Sequence, residues 1–352
     1  MQAAKAARAE ALLVTHGPDV RYLSGFTGSN GAVVLLGGRA VLFTDGRYTT
    51  QAKAEVGGLK VVVGKKAAGP AAAEWLSNAG VKTCAFDAGQ TTVAALETMR
   101  KSLPAGLRRG FFVPATGLVA KLRQVKDEGE IAKMRKAATL GCSLFEGVLE
   151  HVVAGNTEAS VAAELEYAAR MAGAEAMSFE TIVASGERSA LPHGRATAAK
   201  LPKRGFCTMD FGVLLDGYCS DMTRTVHLGK ASGREWDVYH SVLEAQQAAV
   251  AAVAPGVTCG DVDEAARSVL RRDKLDKWFT HSTGHGVGLE IHEEPRVATK
   301  QEQKLEPGMV ITIEPGVYLP GEFGIRIEDM VLVTANGGEV LTAASPKTWL
   351  EL

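Results

Sequence analysis

No stretch of this chain approaches about 18 consecutive apolar residues, so no membrane-spanning helix is expected. The opening MQAAKAARAEALLVTHG mixes alanine with charge. It lacks the apolar core and cleavage site of a secretory signal. Cysteine is sparse: Cys84, Cys142, Cys207, Cys219 and Cys259 are odd in number and widely spaced, with no C-x-x-C. That argues against a disulfide framework or a thiolate zinc site and fits a reducing cytoplasm. Neither sign of charge is in excess, with 39 Lys plus Arg against 40 Asp plus Glu. A protein that binds nucleic acid or a membrane surface through its overall field needs a basic surplus, so neither partner is expected. A Walker-type phosphate loop, a G-x-S-x-G elbow and dinucleotide-type glycine spacing are also missing. No low-complexity tract or internal sequence repeat is visible. The four tryptophans say little; Trp75 and Trp236 fall in helical patterns and are expected in the core.

What remains is a chain of 352 residues, 46 % hydrophobic and 22 % charged, enough for two domains with large cores. Its first third alternates strands and helices. An Ala-rich helical pattern over 2–12 leads into the strand ALLVTH. Apolar runs at Gly31–Leu36 and Ala40–Thr44 flank Gly37-Gly38, a hairpin signal. QAKAEV, GPAAAEWLSNAG and TTVAALETMRKSL read as helices, with LKVVVG and KTCAFD as strands between them. This is an α/β layered domain over residues 1–118. Residues 119–352 form the second domain. It opens with one long linker helix through VAKLRQVKDEGEIAKMRKAATLGCSLFEGVLEHV, followed by helices at Glu158–Ala172 and Glu235–Val253. Asn156-Thr157-Glu158 and Gly260-Asp261 are helix starts. Antiparallel strand pairs come last, an α+β arrangement.

The chemistry lies in those strand pairs. Asp210 and Asp221 interrupt apolar, strand-like runs, where a lone carboxylate is expensive. With Asp216-Gly217 as the turn, Asp210 faces Thr223, and Asp221, two residues from Thr223, lies on the same face. Glu314 and Glu328 repeat the pattern around Pro320-Gly321, where a three-residue loop centred on Gly321 sets them opposite each other. Four carboxylates in one dry site cannot all stay ionised without cations. The segment TGHGVGLEIHE adds His285 and His292, preceded by His281, and His193 lies in a loop after Pro192. One histidine with four carboxylates suits two divalent ions of borderline-to-hard character. Mn²⁺ is the natural choice, with Co²⁺, Zn²⁺ or Fe²⁺ as alternatives. Such a pair of ions points to hydrolysis by a bridging hydroxide.

The ordered segments MDFG, GYCSDMTRTV, STGHGVGLEIHE, ITIEPGVY and GIRIEDMVLV resemble the pita-bread metallopeptidases, which include aminopeptidase P, prolidase and methionine aminopeptidase. The resemblance spans about Arg123–Val333. GFTGSNGAVVL and LFTDGRYTTQA are similar to the amino-terminal region of small bacterial Xaa-Pro peptidases. It implies an α/β creatinase/prolidase-like N-terminal domain followed by an α+β pita-bread catalytic domain. The metal ligands would be Asp210, Asp221, His285, Glu314 and Glu328, with Asp221 and Glu328 bridging and Glu314 also acting as general base. His193 and His292 would contact the scissile peptide, His281 would be an accessory proton carrier, and Arg326 would brace a ligand carboxylate. The activity implied is an Xaa-Pro aminopeptidase on proline-containing peptides, in a cytoplasmic homodimer. The alternatives are an Xaa-Pro dipeptidase and, in another class, a non-catalytic binding module. Arg296 is a candidate for the carboxylate of a terminal proline and Tyr218 for the pocket wall. Asp45, Arg47 and Tyr48 are candidates for the substrate's amino end.

Overall fold

The computed structural model describes residues 8–352, in two compact units that divide between Arg123 and Gln124. Most of the helical pattern read over residues 2–12 lies outside the described residues; Ala11 and Leu12 already belong to the strand Ala11–Val14. In the first unit six strands stand in the order Lys60–Gly64, Arg39–Asp45, Ala32–Leu36, Ala11–Val14, Cys84–Asp87, Phe112–Ala115. The Gly37-Gly38 turn takes φ of 55° and 81°, a left-handed pair that glycine adopts freely, and its flanking strands run antiparallel. The outer pairings are parallel. Helices Thr49–Glu55, Ala68–Asn78 and Val93–Lys101 intervene along the chain, as the sequence pattern anticipates. Two short elements escaped that pattern: the eight-residue helix Gly17–Ser24 and the strand Phe112–Ala115. Each is too short to show a period. Asp45 and Arg47 are bonded to each other through two nitrogens, and the Tyr48 hydroxyl meets Ser29 Oγ at 2.7 Å.

The second unit corrects one expectation. The long linker helix is broken. Ala120–Arg123 is a short helix, an extended passage follows, and Glu128–Val148 is the main helix. Asp127 explains the restart. Its carboxylate accepts from the Glu130 amide at 2.8 Å, and the Glu130 carboxylate accepts from the Asp127 amide at 2.9 Å. Two orphan donors at a helix start are thereby satisfied together. Val125 meanwhile bridges to Met309 in extended form.

After that restart one structural order runs twice. Helices Glu128–Val148 and Glu158–Met171 precede a sheet of Ile182–Ser185, Gly205–Phe211 and Met222–Leu228. Helices Gly233–Ala252 and Cys259–Arg272 then precede a five-stranded sheet containing Gly284–Gly286, Val310–Ile313 and Asp329–Thr334. Each half has its own apolar core, built on Leu165, Met209 and Val226 in one and on Val242, Val262 and Ile311 in the other. Trp236 departs from expectation. It is 45 % exposed and rests its ring 4.9 Å from that of Trp349. Among the described residues no helix is long and apolar enough to cross a membrane.

None of the five cysteines is in a disulfide, and all are buried. Burial pushes the Cys84 and Cys207 thiols up to about 12 and Cys259 to about 11. The thiolate is the reactive form, so these groups are inert at neutral pH. A disulfide-exchange reagent is therefore expected to titrate no thiol promptly in the native protein and five after denaturation. A fast native titre would contradict this packing.

Candidate metal centre

The carboxylates are delivered by two hairpins whose registers follow from their turns. Asp216 and Gly217 turn the first with φ of 50° and 80°, the paired left-handed residues of a tight hairpin. Thr223 then stands directly opposite Asp210. In the second hairpin Leu319 faces Phe323 and Gly316 faces Arg326. The same register resumes farther out, where Ile313 faces Asp329. Between these two stretches the ladder opens, and the opening contains Glu314 and Glu328. Their amides donate elsewhere, Glu314 to the Thr283 carbonyl at 2.7 Å and Glu328 to the Thr223 carbonyl at 3.1 Å. Those two bonds bring together the segment holding His285, the hairpin holding Asp210 and Asp221, and the acidic pair itself.

Asp221, His285 and Glu328 each offer a ligand atom within 4.8 Å of the others. His285 Nδ1 lies 2.9 Å from the Gly286 carbonyl, so that nitrogen carries the proton and donates. The other nitrogen, Nε2, turns its lone pair toward Asp221 Oδ2 and Glu314 Oε1, each at 3.6 Å. Burial drives the His285 imidazolium down to about 4, which keeps the ring neutral near pH 7. A lone pair aimed at two carboxylate oxygens is repulsive, and it is the arrangement that a shared cation relieves.

The charges point the same way. Burial, with neighbouring Glu328 and Asp210, raises the Asp221 carboxyl well above its ordinary range. Glu328 is raised likewise by burial and then by Glu314 and Asp210. Burial lifts Glu314 to about 8 although Arg326 pulls it down. Asp210 Oδ2 accepts from Arg326 Nη2 at 2.5 Å, while its other oxygen, Oδ1, is buried without a hydrogen-bond partner. An orphaned carboxylate oxygen beside three acids that resist ionisation fits divalent cations, which would supply the positive charge that a single arginine does not. The donor set of one imidazole and four carboxylates is compatible with such ions.

Around this cluster Arg326 is buried and fully engaged. It donates to Asp210, to the Tyr318 hydroxyl at 2.7 Å, to Thr223 Oγ1 at 3.0 Å and to the Pro192 carbonyl at 3.0 Å. The Tyr318 hydroxyl also meets His281 Nε2 at 2.9 Å, and burial and Arg326 hold the His281 imidazolium down to about 4. The His292 ring lies 4.4 Å from the His285 ring, and burial with neighbouring His193 lowers its basicity. His193 is exposed on its loop and close enough to feel both His281 and His292. Arg296 is exposed and stands opposite His285 across the ladder.

Tyr218 is placed differently from expectation. It is 7 % exposed, packs with Ile131, Met134 and Val287, and donates its hydroxyl to Glu130 at 2.8 Å. It is not among the side chains gathered here.

Three supporting residues were not anticipated from the sequence. Thr223 donates its hydroxyl to Glu328 Oε2 at 2.7 Å, orienting that carboxylate. Its place opposite Asp210 was the available signal. Tyr318, in the quoted ITIEPGVY, faces the cluster through Arg326. Asp263, buried on the helix Cys259–Arg272, accepts from the Thr283 amide at 3.2 Å, from Thr283 Oγ1 at 2.7 Å and from Arg267 at 2.8 Å. It fixes the segment between His281 and His285. On an amphipathic helix it reads as a surface acid, so the sequence holds no signal for it.

Residues 132–335 match metallopeptidase family M24, and residues 1–125 match the creatinase/prolidase N-terminal domain. A solved Xaa-Pro dipeptidase from Bacillus anthracis superposes with a TM-score of 0.95 at 38 % identity, covering 100 % of this chain and 97 % of that one. An X-Pro aminopeptidase structure from Thermotoga maritima superposes with a TM-score of 0.90 at 35 % identity, covering 100 % of both chains. An Xaa-Pro dipeptidase of Pyrococcus horikoshii is 35 % identical over 333 residues, 95 % of this chain and 92 % of that protein.

Proposed function

Because this chain belongs to metallopeptidase family M24 and carries a creatinase/prolidase N-terminal domain, we propose that it is an Xaa-Pro dipeptidase, hydrolysing the bond before a carboxy-terminal proline. The sequence leaned toward an aminopeptidase. The reading moves to the dipeptidase for two reasons. Relatives spanning nearly the whole chain are named Xaa-Pro dipeptidases. The observation that carries the proposal is Arg296, an exposed guanidinium directly opposite His285 in the ladder. Directly opposed residues share a sheet face. A free proline carboxylate bound beside the cluster would meet a guanidinium of matching shape. The Thermotoga neighbour favours the second reading, an Xaa-Pro aminopeptidase that accepts longer peptides.

In this proposal Asp210, Asp221, His285, Glu314 and Glu328 would hold two divalent cations. When bound, such ions polarise the scissile carbonyl and acidify a water near neutral pH. Glu314 takes the proton of the attacking water and returns it toward the departing proline nitrogen. His193 and His292, as ring N–H donors, stabilise the oxyanion that develops on the carbonyl. Arg326 holds Asp210 in place and receives support from Tyr318 and Thr223. His281 stays neutral and hydrogen-bonded to Tyr318, an accessory group linked to Asp210 through Tyr318 and Arg326.

The test uses metal-stripped protein reconstituted with Mn²⁺ and offered Ala-Pro beside Ala-Pro-Ala. The dipeptide is expected to be cut and the tripeptide to be cut poorly. Arg296→Ala is expected to raise KM for Ala-Pro about 10–100-fold, the value of a hydrogen-bonded charge pair, with little change in kcat. Efficient cleavage of the tripeptide would establish the aminopeptidase reading. Cleavage of neither, with Mn²⁺, Co²⁺ or Zn²⁺, would leave the binding module.

A further inference from the structure

His193 reaches the cluster from a long connection. Between the strand Ile182–Ser185 and the strand Gly205–Phe211 the chain makes one short 3-10 turn at Gly186–Ala190 and then runs without regular structure. Irregular connections of this length are ordinarily mobile. An imidazole that must meet a developing oxyanion has to be held to within a fraction of an ångström. Arg326 holds the connection at one point, the carbonyl of Pro192. Past His193, Arg195 forms a β-bridge with Ile182 and an exposed ion pair with Glu180 at 3.0 Å. Both stems of the connection are joined to each other by a residue outside the cluster.

That residue is Glu158, the first residue of the helix Glu158–Met171 and fully buried. Its Oε1 accepts from the Ser185 amide at 2.9 Å and from Ser185 Oγ at 3.1 Å. Its Oε2 accepts from the Thr197 amide at 3.2 Å and from Thr197 Oγ1 at 2.8 Å. Arg188 Nε lies across both oxygens, at 3.2 and 3.0 Å. Arg188 also donates Nη2 to the Arg195 carbonyl at 2.8 Å, two residues past His193. The helix start adds backbone bonds, from the Glu158 amide to the Ala199 carbonyl and from the Ala159 amide to the Thr197 carbonyl. One carboxylate thus closes the loop at both stems, residue 185 before His193 and residue 197 after it. Nothing in a short capping sequence requires a fully buried acid with donors from three separated residues. A helix start needs only its N-cap side chain, and Thr157 supplies that by accepting from the Ser160 amide.

We propose that Glu158 is a positioning residue for peptide hydrolysis, holding the Ser185–Thr197 loop so that His193 meets the scissile carbonyl. The inference rests on the role given to His193 above. Glu158 acts through Ser185, Arg188 and Thr197, none of them a proposed ligand, so its loss separates turnover from metal binding.

The experiment is a double-mutant cycle on the Mn²⁺-loaded full chain, with Glu158→Gln, His193→Ala and the double variant. Metal content and Mn²⁺ affinity are measured beside kcat and KM for Ala-Pro and Ala-Pro-Ala. Glu158→Gln is expected to lower kcat about 10–100-fold, the scale of an ångström of misplacement, with metal content and affinity unchanged. In the His193→Ala background the same substitution is expected to have almost no further effect. Arg188→Ala, at a partly exposed position, serves if Glu158→Gln does not fold, and the same non-additivity with His193→Ala is expected. Equal losses in both backgrounds, loss of metal, or unchanged kcat would overturn the proposal. A wild-type enzyme active on either peptide with an additive cycle would refute only this inference. A wild-type enzyme inactive on both would refute the functional reading and this inference with it.

Discussion

Glu314→Gln is expected to lower kcat by about 10²–10⁴ while leaving the protein folded. The substitution keeps size and shape, and it removes a carboxylate that can take up and return a proton and that is also one of the five proposed metal ligands, so metal content is measured beside turnover. The packing that surrounds the side chain, between the Thr283 carbonyl bonded to its amide and the Thr312 hydroxyl near its Oε1, is unaffected. The carboxyl itself is raised to about 8 by burial, so the folded protein is already strained to ionise it. A neutral amide relieves that strain. The metal-free variant should therefore melt no lower than the metal-free parent at pH 8. Turnover of Ala-Pro and the melting temperature, measured side by side, check both halves. Near-normal turnover by the variant would sink the assignment of Glu314.

Removal of divalent metal is expected to destabilise the protein, and more at pH 8 than at pH 6. Asp221, Glu314 and Glu328 are all held above their ordinary values. A carboxyl raised in this way binds its proton more tightly in the fold than in the unfolded chain. Its contribution to stability is complete below the unfolded value of about 4, and it is lost as pH climbs to the folded value, about 8 for Glu314. The stripped protein thus weakens steadily between pH 5 and pH 8. Divalent cations take the place of those protons, so their effect grows as the protons leave. At a free concentration 100 times the dissociation constant the gain is about 2.7 kcal/mol, worth roughly 5–10 °C for a domain of this size. Melting curves with chelator and with Mn²⁺ at the two pH values test it. Identical curves, or a larger gain at pH 6, would contradict a cation-binding cluster of these acids.

The residues differ in how much of their role can be read along the chain. Asp210 and Thr223 were placed opposite each other by a two-residue turn and a period of two, and the register agrees. Glu314 and Glu328 were opposed by the same reasoning. The loss of the ladder between them was not foreseen, because it arises when the segments of Thr283 and Thr223 take their amides. The break before Glu128 was hidden for a comparable reason. Local propensity across residues 119–152 favours helix throughout, whereas the capping bonds of Asp127 and the bridge of Val125 to Met309 favour a break. Tyr218 looked like a wall residue because it follows a turn, and Glu130, 88 residues earlier in the chain, claims its hydroxyl.

Turns, strand parity and the order of the acids along the chain depend on neighbours within a few residues. They were sufficient to assign the α/β and α+β architecture and to pair the four acids, and the resemblance carried by the quoted segments then implied the five candidate ligands. The orientation of His285 between Asp221 and Glu314, the arginine that balances one acid of four, and the buried Glu158 and Asp263 that hold the loops in place all depend on partners between 20 and 116 residues away. Such contacts acquire their energy only after the chain has closed on itself and excluded water. A linear pattern does not record which carboxylate will then be buried against which donor.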